Sequence, residues 1–177
     1  MLRGLGAEVS LVRRPAELAA VDGLIIPGGE SSVIDKLSRA FGMQHPVREA
    51  IASGMPVYGT CAGMIMLAER LTNPIEGQET FGGLDVLVER NAFGSQVDSF
   101  ETDLQVAGFD GSVHATFIRA PLVREVGPRA TAIATLPDGG VVAVEQGPLL
   151  ATAFHPEVSG ETRFHARFLD LVRAATK

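Results

Sequence analysis

Apolar and polar positions alternate along the chain with two different periods. Leu2 to Gly6 reads as the tail of a helix closed by glycine, and Ala7-Glu8-Val9-Ser10-Leu11-Val12 alternates with period two, predicting a short strand that Arg13-Arg14-Pro15 ends. Val21-Asp22-Gly23-Leu24-Ile25-Ile26 is a nearly unbroken apolar run, the pattern of a parallel strand buried on both faces, with Pro27-Gly28-Gly29-Glu30-Ser31-Ser32 at its carboxyl end. Ser31 or Ser32 would cap a helix running through Val33 and Leu37 towards Phe41. Pro46 would open a second helix, through Val47 and Ile51, that stops at Gly54. Pro56 to Leu67 then passes from an apolar strand through Gly59-Thr60-Cys61-Ala62-Gly63 into an apolar helix. Strand and helix alternate to this point, which predicts a doubly wound parallel sheet.

Beyond Asn73-Pro74 the helical period disappears until the end. Leu84 to Arg90, a polar segment through Asp98-Ser99-Phe100, and Val113 to Ile118 read as successive strands. Ala130 to Leu136 and Val141 to Glu145 flank Asp138-Gly139-Gly140, a hairpin signal. Leu149 to Phe154 is a further apolar strand, and a helix from Glu161 to Ala175 carries Phe164, Phe168, Leu169 and Val172 on one side. The fold expected is α/β: three layers, a mostly parallel doubly wound sheet with added antiparallel strands.

Composition narrows the function. With 177 residues, 46% of them hydrophobic, the chain suits one domain spanning 1–177. A net charge of −6 argues against a nucleic-acid footprint, which needs clustered Lys and Arg. One cysteine cannot form an internal disulfide, Met1-Leu2-Arg3-Gly4 lacks the apolar run of a signal peptide, and no stretch reaches the ~20 apolar residues of a membrane span. A cytoplasmic protein is expected, with no membrane association.

Cys61 is that one cysteine, and the glycines two residues to either side make room for a strained strand-to-helix turn that lifts the sulfur clear of the sheet. The start of a helix favours thiolate over thiol, and the Ala62 N–H could face a developing oxyanion. Taken alone, Cys61 fits a buried structural thiol equally well. Phe154-His155-Pro156-Glu157 shifts the balance: residues two apart in an extended segment point the same way, so Glu157 can hold the His155 imidazole. Nucleophile, base and orienting acid are then all present. His45, His114 and His165 lack an acid at such a spacing and read as surface or packing residues. Neither His-x-x-x-His nor Cys-x-x-Cys occurs, so no zinc site is expected. Gly28-Gly29 by itself fits an ordinary strand-to-helix turn, and Arg90 and Arg119 by themselves fit solvated arginines at strand ends.

Together these segments resemble the class I, triad-type glutamine amidotransferases, and within them the glutaminase subunits of pyridoxal phosphate synthase. The matching stretches are Pro27 to Ser31, Gly59 to Gly63, Glu89-Arg90-Asn91-Ala92-Phe93-Gly94, Gln96 to Glu101, Phe117-Ile118-Arg119-Ala120-Pro121 and Phe154 to Glu157. Many other triad glutaminases carry glutamine where this chain has Ile65, a departure that favours the pyridoxal branch. The resemblance implies a flavodoxin-like sheet, a Cys61 nucleophile with His155 and Glu157, oxyanion donors at Gly29 and Ala62, and L-glutamine binding by Gly29, Glu30, Ser31, Arg90, Ile118 and Arg119. It implies no cofactor and no metal. It further implies that ammonia passes to a separate (β/α)8-barrel synthase subunit in a hetero-oligomer. The competing readings are a glutaminase serving another synthase and a non-catalytic binding subunit. Family members open with an apolar strand and a helix, so the resemblance implies that this strand, and most of the helix ending at Gly6, lie ahead of Met1.

Overall fold

In a computed structural model that describes residues 1–93 and 99–176, Val57-Tyr58-Gly59-Thr60 (β2) lies at the centre of the site-bearing half of the sheet with all four residues buried. It pairs in parallel with Leu24–Ile26 (β1) on one side and with Leu149–Thr152 (β10) on the other. Strands enclosed in this way need apolar residues on both faces, which is why their sequences are continuous runs rather than alternations. β10 turns the sheet mixed: it pairs antiparallel with Val141–Gln146 (β9), which also pairs with Thr131–Thr135 (β8) and, by a single rung, with Leu122–Val126 (β7). β7 pairs antiparallel with Leu84–Glu89 (β4), and β4 pairs in parallel with Ala68–Leu71 (β3) at the far edge. The order is therefore β1-β2-β10-β9-β7-β4-β3, with β8 beside β9.

The helices are Pro15–Leu18 (α1), Ser31–Ala40 (α2), Gln44–Ala52 (α3), Ala62–Leu67 (α4), Pro156–Ser159 (α5) and Arg163–Ala175 (α6). Phe168 of α6 packs against Tyr58 on one face of the sheet, whereas Ile51 of α3 lies beside Leu149, whose neighbour across the ladder is Val57, on the other. Tyr58 is fully buried, with its hydroxyl 3.1 Å from Thr152 Oγ1. Every residue of α4 is buried, so its all-apolar sequence needs no polar face. α2 is the reverse case. Ser31, Ser32, Asp35 and Ser38 point inward while Val33, Leu37 and Phe41 are 48%, 50% and 67% exposed. Part of the inward polar face is met by the segment between β3 and β4, where the Glu79 N–H donates to Asp35 and Gln78 Nε2 donates to Ser31 Oγ at 3.0 Å; Asp35 also accepts from Arg39, and the Ser32 and Ser38 hydroxyls donate locally to Glu30 and to the Asp35 carbonyl.

Several expectations are corrected. Ala7 to Val12 forms no strand; Leu2–Leu5 is a 3-10 turn closed by Gly6 at φ 85°, and the following residues run beside a cavity of about 1020 Å³ lined by Val9, Val12, Leu24, Ile25, Phe168 and Val172 among others. A strand needs a ladder partner, and among the described residues β1 pairs only with β2. The cap of α2 is Glu30, whose side chain accepts from the Ser32 N–H, because Ser31 already lies inside the helix. Pro46 lies in the first turn of α3 rather than opening it, behind Gln44 and His45. Among the described residues, the strands Ser99–Gln105 (β5) and Ser112–Ile118 (β6) pair only with one another, as a separate two-stranded sheet. Gly94, Gln96, Val97 and Asp98 of the matching stretches fall outside the described residues.

Candidate active site

Cys61 joins β2 to α4 with φ 50° and ψ −106°, a sparsely populated conformation for a residue with a side chain. Strain of this kind costs about 1–3 kcal/mol and persists only where the surroundings dictate it. They do so here through main chain. The Cys61 N–H donates to the Thr152 carbonyl of β10 at 2.8 Å, and the Cys61 carbonyl accepts from Met64 N–H at 3.0 Å. The two flanking glycines are sites of close approach: a Cβ on Gly63 would lie 2.0 Å from the Ile26 carbonyl oxygen, and one on Gly59 2.5 Å from the Gly63 carbonyl. Ala62 begins α4, so helix geometry leaves its N–H without an acceptor inside the helix.

β10 delivers His155, whose N–H is held by the Thr116 carbonyl at 2.9 Å. Its Nδ1 is 2.8 Å from Glu157 Oε1, and the Cys61 side chain lies near enough to the ring to influence its titration. The interaction with Cys61, followed by the hydrogen bond to Glu157, pushes the His155 pKa up to about 10 against the opposing effect of partial burial. Burial pulls Glu157 upward, but the hydrogen bond from His155, the backbone N–H of Glu157 itself and the His155 charge together outweigh it and hold the carboxyl below the usual range. A proton carried on the ring between sulfur and carboxylate is thereby favoured. Gly28 has its own task here, because a Cβ at that position would stand 2.4 Å from His155 Cε1.

The remaining candidates lie at or just past the ends of β1, β4 and β6. Cys61 Sγ lies 3.8 Å from the Ile118 carbonyl, at the corner where β6 ends and Arg119 turns the chain with φ 45°. At the end of β1, Gly29 adopts φ 143°, followed by Glu30 and Ser31. Arg90, just past β4, reaches Glu30: Nη2 to Oε1 is 2.8 Å, with the arginine side chain 8% exposed. Arg90 Nε is buried without a hydrogen-bond partner among the described residues. The Arg90 main chain is in turn held by the side chain of Asn73, which accepts from its N–H at 2.9 Å and donates to its carbonyl at 3.0 Å. The Ser31 hydroxyl is buried and accepts from Gln78 Nε2. Cys61, His155 and Glu157 are thus brought together, as are Cys61 with Ile118 and Glu30 with Arg90. Gly28, Asn73 and Gln78 are contributions that sequence reasoning missed; their partners lie far away in the chain, and only the doubled glycine hinted at one of them.

No group of three or more His, Cys, Asp or Glu residues suited to a metal ion occurs among the described residues. Among them, no helix is long and apolar enough to cross a membrane. The other histidines are placed as packing or surface groups: His165 sits edge-on to Tyr58, and His114 lies between Asp103 and Glu101 on the β5–β6 sheet.

A protein of Clavibacter michiganensis subsp. michiganensis (strain NCPPB 382), named pyridoxal 5'-phosphate synthase subunit PdxT, is 60% identical over 176 residues, which span 99% of this chain and 84% of that one. Its namesake in Leifsonia xyli subsp. xyli (strain CTCB07) is 62% identical over 170 residues, 96% of this chain and 86% of its own. A solved structure described as the crystal structure of glutamine amidotransferase superposes with a TM-score of 0.90 at 44% identity, covering 97% of this chain and 89% of that chain. The model of the SNO glutamine amidotransferase family matches residues 2–174, and the chain belongs to that family.

Proposed function

We infer that this chain is a cytoplasmic glutaminase, a single amidotransferase domain over residues 1–177 that hydrolyses L-glutamine and delivers the ammonia to a (β/α)8-barrel subunit of pyridoxal 5'-phosphate synthase. The observation that carries the reading is the Cys61–His155–Glu157 constellation at the ends of two adjacent parallel strands, beside a buried arginine and a carboxylate. Free glutamine presents an α-carboxylate, an α-ammonium and a side-chain amide. Arg90 and Arg119 supply cations for the first, Glu30 an acceptor for the second, and the turn N–H groups donors for the third. Arg90 Nε, buried and unpartnered, suits an anionic ligand.

The Cys61 thiolate attacks the side-chain carbonyl carbon, and the N–H groups of Gly29 and Ala62 receive the negative charge that develops on oxygen. The His155 imidazolium, held by Glu157, protonates the departing nitrogen, so ammonia leaves and a thioester remains. Neutral His155 then takes a proton from water, whose oxygen attacks the thioester carbon; glutamate leaves, and the proton returns to the His155–Cys61 pair. The site residues themselves complete the cycle without a cofactor.

The test is to purify the chain with a candidate synthase barrel and measure ammonia release from glutamine, alone and in the complex. Release that requires Cys61 and rises on docking is expected. No release in either state would overturn the glutaminase reading, and equal release with and without the barrel would overturn the choice of partner.

A further inference from the structure

Where β3 ends, a side chain continues the work of the strand. Thr72 N–H donates to the Val88 carbonyl at 3.1 Å, the last backbone rung between this segment and β4. In a parallel ladder kept in that register, the Arg90 N–H would go to the Thr72 carbonyl, and the Arg90 carbonyl would take the N–H of residue 74. Residue 74 is proline and has no N–H to give. Both Arg90 groups are instead met by Asn73, through Oδ1 at 2.9 Å and Nδ2 at 3.0 Å. A carboxamide carries the same donor and acceptor as a peptide group, so Asn73 forms a side-chain rung. It prolongs the ladder over Arg90 while its own main chain departs towards Gln78 and Glu79.

Arg90 is the last residue so held. Asn91 turns the chain away at φ 50°, and the Ala92 N–H crosses to the Ala120 carbonyl, next to Arg119, at 3.1 Å. The direction of the Arg90 side chain towards Glu30 therefore depends on the Asn73 rung before it and this bridge after it. Being part-buried, the two Arg90 main-chain groups have little access to water as a substitute.

We propose that Asn73 is a positioning residue for substrate: it fixes the Arg90 main chain so that the guanidinium points at Glu30 and at the carboxylate of the bound amino acid. The inference rests on the reading of Arg90 as a glutamine-binding cation. Asn73 touches no substrate atom, and its effect reaches the site only through Arg90.

The experiment compares Asn73→Ala, Asn73→Asp and Arg90→Ala in the complex with the synthase barrel. For each, KM and kcat for glutamine are measured together with the melting temperature, and glutamine binding is measured by calorimetry in a Cys61→Ala background. Losing the rung is expected to raise KM by about tenfold, the scale of one unsatisfied buried group, with a much smaller change in kcat. Asn73→Asp keeps an acceptor for the Arg90 N–H but loses the donor, and is expected to move KM in the same direction, so the proposal remains testable if the alanine variant fails to fold. Lower melting temperatures with unchanged KM in both Asn73 variants, while Arg90→Ala raises KM, would overturn the positioning role alone. Unchanged KM and binding in Arg90→Ala would overturn the reading of the pocket, and this inference with it.

Discussion

The two sides of the site are built from different materials. Cys61 and His155 leave the ends of β2 and β10, strands buried along their whole length, and each is pinned by its own main chain, to Thr152 and Thr116. Glu30, Arg90 and Arg119 come from the ends of β1, β4 and β6, and what joins them is largely side chain: Glu30 to Arg90, Asn73 to Arg90, Gln78 to Ser31. Bond making tolerates errors of a fraction of an ångström, which packed main chain can guarantee, whereas a charged group can be recognised across a softer contact. Damage to the first side should accordingly appear in turnover and damage to the second in saturation.

The largest expected effect breaks the first side outright. Cys61→Ala should abolish glutamine hydrolysis while leaving the complex with the synthase intact by size-exclusion chromatography, since only the sulfur can form the thioester; ammonia release near the wild-type rate would sink the assignment. Glu157→Gln should lower kcat by about two to four powers of ten, because the imidazole loses its orienting carboxylate. A variant with unchanged kcat would make Glu157 an ordinary surface acid. On the other side, Arg90→Ala should raise KM by about ten- to a hundredfold, the scale of a lost charged hydrogen bond, with kcat less affected. If kcat fell instead and KM held, the division between the two sides would be wrong.

Two smaller effects sharpen the comparison. Gly63→Ala places a methyl group on the Ile26 carbonyl and should destabilise the fold by about 1–3 kcal/mol or more in denaturant melts, as overpacking does. Gly29→Ala meets no atom within 4 Å and carries only the strain of its backbone angle, so it should cost less. The smallest effect is one of pH. The folded-state pKa of His155 lies above its ordinary 6.5, so the stability its charged form contributes is complete below that value and disappears as pH rises to about 10. The gap in melting temperature between wild type and His155→Gln should be widest near pH 6 and shrink towards pH 10. A constant gap would mean that the His155 charge does not bear on folding.

What could be read from the sequence follows the same division. The elbow was legible because close approach demands glycine at fixed offsets from the cysteine, and His155 and Glu157 because one extended segment carries both. The continuous run at Val21 to Ile26 also announced a buried parallel strand, and the apolar runs before Cys61 and from Leu149 to Phe154 announced strands. β3 was missed because Ala68 to Leu71 follows α4 without punctuation, and β7 because Leu122–Val126 takes its identity from pairing with β4 and β9. Ala7 to Val12 had the right period and no ladder partner. α2 concealed its orientation, since its inward residues are serines and Asp35, two of which, Ser31 and Asp35, are met by a segment far along the chain. Gly28 and Asn73 were obscure for that reason too: a requirement for empty space beside His155, or for a rung beneath Arg90, exists only after the chain has folded.

The surroundings of Tyr58 give the molecule a built-in optical gauge. It is the sole tyrosine, there is no tryptophan, and it lies three residues before Cys61. Burial, opposed in part by the Thr152 hydrogen bond, pushes its phenol far above the usual range, so the neutral form is bound to the native state. That contribution is complete below the unfolded value near 10 and declines as alkali is added beyond it. Tyrosinate absorption should therefore stay silent while the strand leading to Cys61 is intact and rise in a single step when it opens, reporting on that strand without any attached label.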